Sequence, residues 1–259
     1  MTQMWKMALM GTLLFAGVVV AGTADRAIQE YEEALKLAPD LENGKKVYKV
    51  CAVCHTPEGW GLESGYYPQV AGQLNTVIIK QLADIRARNR DNPTMRPFTS
   101  VSLLGGTQEL ADVAAYISQL PMNSANGKGP GRDLELGRQL YEDNCTECHG
   151  KSGEGDREEH VPAIYAQHYR YLVRQFEWIK NGRRRNADSK MVKQIRRFHH
   201  RDVMAVMDYV SRLQPPAEKM AEPGWMNPDF PNYARKPFPG AGYMIDQRAS
   251  RPPRPALNR

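Results

Sequence analysis

Cys51-Ala-Val-Cys54-His55 and Cys145-Thr-Glu-Cys148-His149 hold all four cysteines of this 259-residue chain. In Cys-x-x-Cys-His the two thiols lie on one turn of helix, where each can add to a vinyl group of a haem. The histidine that follows points beneath the ring and ligates the iron. A redox dithiol needs neither that histidine nor a second copy of the motif. A zinc site would have to join the motifs across 94 residues. The pattern therefore predicts two covalently attached haem c groups, held by Cys51, Cys54, Cys145 and Cys148, with His55 and His149 on iron. With no cysteine left over, a disulfide framework, cysteine-ligated iron and a thiolate copper site are excluded.

Around the motifs the chain repeats with an offset near 94 residues. Gly44-Lys-Lys-Val-Tyr48 matches Gly137-Arg-Gln-Leu-Tyr141, and Pro68 matches Pro162. Gln73 and Gln81 match Gln167 and Gln175, and Met95 matches Met191. Tyr116-Ile-Ser-Gln-Leu120-Pro121 matches Tyr209-Val-Ser-Arg-Leu213, with Pro215 close behind. Two copies cannot build a solenoid, so the duplication predicts two tandem domains, 43–121 and 133–214, joined by a breaker-rich linker, 122–132. Each copy predicts a helix leading into its motif (43–51, 135–145) and a Gly- and Pro-containing loop. A second helix follows over 75–88 or 169–180, then a closing helix over 108–120, N-capped by Thr107, or 201–213. No strand pattern is present, and the predicted class is all-α.

Outside the repeat lie three further segments. Lys6 precedes an uncharged, largely apolar run, 7–24, ending in Gly22-Thr23-Ala24. It suits either a cleaved export signal or a membrane anchor, and both place the remainder outside the cytoplasmic membrane, in the periplasm. Residues 25–42 read as an extra amphipathic helix, packed on the first domain or spacing it from the membrane. Residues 215–259 are rich in Pro and aromatics (Trp225, Phe230, Tyr233, Phe238, Tyr243) and predict an extended arm over a surface of its own chain or of a partner.

The net charge is +6, with hydrophobic residues at 41%. Residues 25–120 carry ten basic against twelve acidic side chains, residues 133–213 fifteen against thirteen, and residues 214–259 seven against four. So modest an excess predicts no nucleic-acid partner. Between Arg183 and Arg201 eight Lys or Arg face one acid, Asp188. This run brackets Met191, and is expected either to steer an acidic redox partner to the second haem or to be a solvated face.

The sixth iron ligands are less directly written. Met95 lies in Asn92-Pro-Thr-Met95-Arg-Pro97, and Met191 holds the equivalent place, both in polar, loop-like surroundings. Met122 competes for the first haem, and His199 or His200 for the second. His160, His168, His199 and His200 otherwise read as surface histidines. A thioether ligand favours ferrous iron and leaves no open position, so it predicts electron transfer without catalysis. A peroxidase or a sulfur-oxidising enzyme would need a labile site. Pro68 and Pro162 are either carbonyl partners for the ring N–H of His55 and His149 or simple loop punctuation.

Over residues 43–120 and 135–213 the chain resembles a dihaem cytochrome c of the c4 type, a tandem of class I cytochrome c domains. The resemblance is closest in Cys145-Thr-Glu-Cys-His-Gly-Lys-Ser-Gly-Glu-Gly155 and Asn186-Ala-Asp-Ser-Lys-Met191. It implies Met191 and, by repeat, Met95 as distal ligands, and Pro68 and Pro162 as the prolines that follow each motif. It further implies a periplasmic carrier working between a quinol-oxidising complex and a terminal oxidase, within a respiratory or photosynthetic chain. Some relatives are electron-accepting subunits of dehydrogenases. Three departures are Thr56 in place of the usual glycine, the 25–42 helix and the 215–259 arm, and they suggest a subunit held to a larger assembly.

Overall fold

The computed structural model describes residues 22–231. Most of the predicted leader, 1–24, and the arm beyond residue 231 lie outside them. Ten α-helices follow one another: α1 (Thr23–Leu35), α2 (Leu41–His55), α3 (Asn75–Arg86), α4 (Val101–Leu104), α5 (Thr107–Gln119), α6 (Leu134–Asn144), α7 (Thr146–His149), α8 (Tyr169–Lys180), α9 (Ser189–Ile195) and α10 (His200–Val210). Among the described residues there is no strand, only isolated bridges at Met122–Met220 and Asp156–Val161. The all-α class holds. No helix here is long and apolar enough to cross a membrane.

Each domain is organised by the crossing of its first helix over its last, α2 on α5 and α6 on α10. The crossing is close because glycine stands at the contact. A Cβ on Gly44 would meet the Asp112 carbonyl oxygen at 2.2 Å, and one on Gly137 would meet that of Ala205 at 2.2 Å. One turn on, Tyr48 packs against Tyr116 (ring centroids 5.3 Å apart) and Tyr141 against Tyr209 (5.6 Å). Tyr48 and Tyr141 are wholly buried, and each hydroxyl donates to the backbone just after its motif, at Thr56 O (2.8 Å) and Gly150 O (2.7 Å). The helix crossing is thereby tied to the end of the Cys-x-x-Cys-His turn.

Several expectations are corrected. The helix expected over 25–42 ends at Leu35, because Pro39 cannot continue it and Asp40 opens α2 by accepting from the N–H of Glu42 and Asn43. Its apolar face (Ala27, Tyr31, Ala34) is buried on α3 and α5. The cap of α5 is Gly106, whose N–H donates to Glu109 Oε2 at 2.7 Å, so Thr107 is already helical. Residues 189–195, read as loop, form α9, N-capped by Asp188. The breaker-rich linker is packed between the domains. The Asn126 side chain is buried and donates to the carbonyls of Gln167 and Ser211, both at 2.8 Å.

The first part of the arm, up to residue 231, returns to its own chain. Residues 219–221 pair with Met122, and Trp225 lies 5.8 Å from the ring of Trp60. Asn227, 1% exposed, donates to Pro57 O at 2.7 Å. Asp229 accepts from Tyr116 Oη at 2.8 Å and pairs with Lys45 at 2.6 Å. Phe230 is buried edge-on to Tyr48. The chain that leaves the second domain thus seals the helix crossing of the first.

The domains meet through residues placed with near two-fold symmetry. Gln73 brackets Ala163, accepting from its N–H (3.0 Å) and donating to its C=O (2.8 Å). Gln167 does the same to Gln69 (3.1 and 2.8 Å). His168, expected at the surface, is 3% exposed. Its Nδ1 accepts from Gly127 N–H at 3.0 Å and its Nε2–H donates to Trp60 O at 2.8 Å, which requires the neutral ring. His160 packs edge-on against Tyr31.

Two outcomes follow. Gly44→Ala or Gly137→Ala is expected to destabilise its domain by about 3 kcal/mol in denaturant titration, since the obstacle is rigid backbone. Burial holds the His168 pKa below its ordinary value, opposed by the Trp60 carbonyl and the Glu63 charge. The unfolded chain then binds more protons below about pH 6.5, so stability falls as pH drops through that range. His168→Gln removes that part of the slope.

Candidate haem-binding sites

α2 runs unbroken through Cys51, Cys54 and His55, whereas the second motif occupies the separate turn α7 after a break at Cys145. Both nonetheless deliver the histidine to the same place. His55 is 6% exposed and its Nδ1 is 2.9 Å from Pro68 O; His149 is 8% exposed and its Nδ1 is 3.1 Å from Pro162 O. A carbonyl can only accept, so Nδ1 carries the proton in each ring and Nε2 keeps a free lone pair. Burial lowers both imidazole pKa values, partly offset by the proline carbonyls, and so maintains the neutral form that binds metal.

The loop that carries each proline is built alike in the two domains. Gly61 N–H donates to His55 O and Gly155 N–H to His149 O, both at 2.9 Å. Val70 N–H reaches Gly59 O and Ile164 N–H reaches Gly153 O, both at 2.7 Å. A Cβ on Gly61 or Gly155 would stand 2.3 Å from a carbonyl oxygen of the returning chain. The domains differ at the residue after the histidine. Gly150 has φ 78° and ψ 169°, a region that suits glycine, and Thr56 is held in it at φ 68° and ψ 157°. That conformation costs of order 1–3 kcal/mol in a threonine. Tyr48 on the Thr56 carbonyl and Trp60 N–H on its Oγ1 (3.2 Å) hold it there.

Burial pushes the Cys51 and Cys145 thiols up to about 12. A dithiol built for exchange has the opposite arrangement, a thiolate stabilised by nearby positive charge. No cluster of three or more His, Cys, Asp or Glu side chains that could share a metal ion occurs among the described residues, so the motifs are not joined into a zinc site.

Met95 sits in the turn before a 3₁₀ segment, Pro97–Thr99, and is partly buried. Met191 does not lie in a polar loop as expected: it is in the first turn of α9, its N–H donating to Asp188 Oδ1, and it packs with Cys145 on the apolar cluster of the second domain. The competitors are placed elsewhere. Met122, 5% exposed, packs with Ala163, Tyr165 and Ala166 and fills the space above Gly72. His199 and His200 are exposed at the start of α10.

The residues present fit two anionic, apolar cofactors. Partly buried Cys51 and Cys145 open onto separate apolar clusters, one per domain. Between the domains Arg90 and Arg184, also 94 residues apart, each bridge the Oε1 atoms of Gln81 and Gln175 at 2.8–3.2 Å. Neither is in an ion pair among the described residues. The Arg184 pKa is pulled down to about 9, by desolvation first and by the Arg90 charge second. The Tyr171 and Asp84 side chains oppose that shift, and a paired guanidinium of this kind is suited to an anionic neighbour. The shared 94-residue offset of Arg90 and Arg184 is the signal that could have found them.

The basic run is divided. Arg184 and Arg185 reach the first domain, Arg185 donating to Arg88 O at 2.9 Å; Arg183 lies over Trp178 (4.4 Å), and Arg201 pairs with Asp133 (2.9 Å). Arg183, Arg185 and Arg201 stay exposed despite these contacts, and Lys190, Lys193, Arg196 and Arg197 form a further exposed group around Met191.

Comparison with known proteins agrees with this geometry. The cytochrome c family model matches twice, over residues 41–121 and 134–214. Cytochrome c4 of Thiocapsa roseopersicina is 32% identical over 182 residues, covering 65% of this chain and 89% of the relative. The cbb3-type cytochrome c oxidase subunit FixP of Bradyrhizobium diazoefficiens is 30% identical, covering 55% of this chain and 50% of that one. The crystal structure of reduced cytochrome c4 from Pseudomonas stutzeri superimposes with TM-score 0.61 at 26% identity, covering 68% of this chain and all of that one. With both halves matched and the paired haem-attachment turns in place, this chain belongs to the cytochrome c family, as a periplasmic dihaem electron carrier of the c4 type with two covalent haem c groups and no enzymatic role.

Proposed function

We propose that Cys51 and Cys54 tether one haem and Cys145 and Cys148 the other, with His55–Met95 and His149–Met191 as the axial pairs. The protein then passes electrons, one at a time, to a terminal oxidase of the cbb3 type from a quinol-oxidising complex. The carrying observation is the pair of buried imidazoles, each with its Nδ1 proton committed to a proline carbonyl and its Nε2 left for iron. A haem between histidine and thioether supplies a one-electron couple of comparatively high potential. The chain keeps the imidazoles neutral and oriented, and offers the thioethers from ordered turns.

The likeness to the FixP subunit supports the oxidase as acceptor, and the exposed Lys190, Lys193, Arg196 and Arg197 offer an acidic partner a docking face beside Met191. The apolar run 7–24 supports attachment to the outer face of the membrane, checked by whether a carbonate wash releases the mature protein.

Met95→Ala and Met191→Ala are each expected to remove about half of the weak red absorption band of oxidised Met–iron coordination and to open one haem to cyanide. Loss of the band at neither haem sinks the ligand assignment. Replacing Lys190, Lys193, Arg196 and Arg197 with Gln should slow electron transfer to the oxidase about tenfold at low salt and flatten its ionic-strength dependence. A rate untouched by either change rules out this docking face.

A further inference from the structure

The glutamines that join the domains also touch the peptide units that hold the motif histidines of the opposite domain. Pro162 C=O, which accepts from His149 Nδ1, and Ala163 N–H belong to one peptide unit, and that N–H donates to Gln73 Oε1 at 3.0 Å. In the other direction Pro68 C=O accepts from His55 Nδ1, and Gln69 N–H of the same peptide unit donates to Gln167 Oε1 at 3.1 Å. The amide orientations are set by their partners, since each Nε2 donates to a carbonyl, Ala163 O or Gln69 O, at 2.8 Å. Each Oε1 also takes the N–H of its own next residue, Leu74 or His168, at 3.0 Å, which fixes it in place.

A peptide unit is polarised as a whole. An acceptor on its N–H draws electron density to its carbonyl oxygen and strengthens the bond which that oxygen receives, by roughly 10–30% per link. A stronger acceptor at Nδ1 makes the imidazole a better donor to iron, and that favours the ferric state. We propose that Gln73 and Gln167 are positioning residues that tune the haems crosswise: Gln73, in the first domain, lowers the potential of the second haem, and Gln167, in the second domain, lowers that of the first. The domain interface is then part of the redox design and more than an attachment. This rests on His55 and His149 being the proximal ligands.

The test is the potential of each haem, resolved by spectroelectrochemistry of the full-length holoprotein. Gln73→Leu is expected to shift the ferric-to-ferrous ratio of the second haem about threefold toward ferrous at fixed potential, about 30 mV upward at 59 mV per decade. The first haem stays in place. Gln167→Leu does the converse. Gln73→Asn and Gln167→Asn, which shorten the amide and keep its polarity, shift the same haems in the same direction and serve if a leucine variant does not fold. A loosened interface would admit water and lower both potentials, the opposite sign. Shifts in the same-domain haem, equal shifts in both, or none overturn the inference. Axial histidine resonances in the NMR spectrum of the unaltered protein report the proximal ligands separately. Their absence sinks the ligand reading, and their presence with unmoved potentials sinks only the crosswise tuning.

Discussion

A buried imidazole has one proton to place and one lone pair to use, and the rest of each domain is arranged around that division. Once Nδ1–H is given to a proline carbonyl, the loop after the motif must return to within about 3 Å of the histidine, as it does at Pro68 and Pro162. The return is tight enough to demand glycine at 61 and 155, where the loop passes its own carbonyls. The motif helix is held by a tyrosine hydroxyl from the helix crossing, and the crossing needs glycine at 44 and 137. Attachment turn, loop and crossing are one connected constraint, which is why they recur together.

Duplication gives the interface its character. Gln73 and Gln167, and likewise Arg90 and Arg184, are copies that face each other about a near two-fold relation. Two like charges placed together on neutral amide oxygens are costly, and the nearby Asp84 carboxylate offsets part of that cost at Arg184. The symmetry is broken where the chain carries extra material. α1 and the returning arm both cover the first domain, and the same domain holds the strained Thr56. Contacts from Tyr48 and Trp60 retain that residue in a conformation its counterpart Gly150 adopts freely.

Much of this was legible in the residues. The Cys-x-x-Cys-His turns, the Gly–Tyr spacing before them and the prolines after them are local or repeat at a fixed offset, so pattern alone exposes them. What escaped depends on who faces whom. His168 resembles any surface histidine until Gly127 and Trp60 arrive from distant parts of the chain. The polar run 186–195 hides α9 because its helix is started by one side chain, Asp188, and stabilised by packing of Ile195 and Met191. The basic run is contiguous along the chain, yet Arg183, Arg184, Arg185 and Arg201 each meet a partner that the local pattern does not reveal.

By itself the sequence determined the chemistry that requires covalent neighbours. Two thiols and a histidine within five residues form an attachment site in any fold that accepts a helical turn, and a duplicated pattern implies a duplicated domain. Tertiary structure decided everything that requires distant residues to meet. It set which carbonyl receives each imidazole proton, which glutamine backs that carbonyl from the other domain, and where the start of the arm, up to residue 231, packs. The reason is physical: a spacing along the chain constrains only groups within a turn or two, whereas a hydrogen bond across an interface exists only after both surfaces have folded and docked.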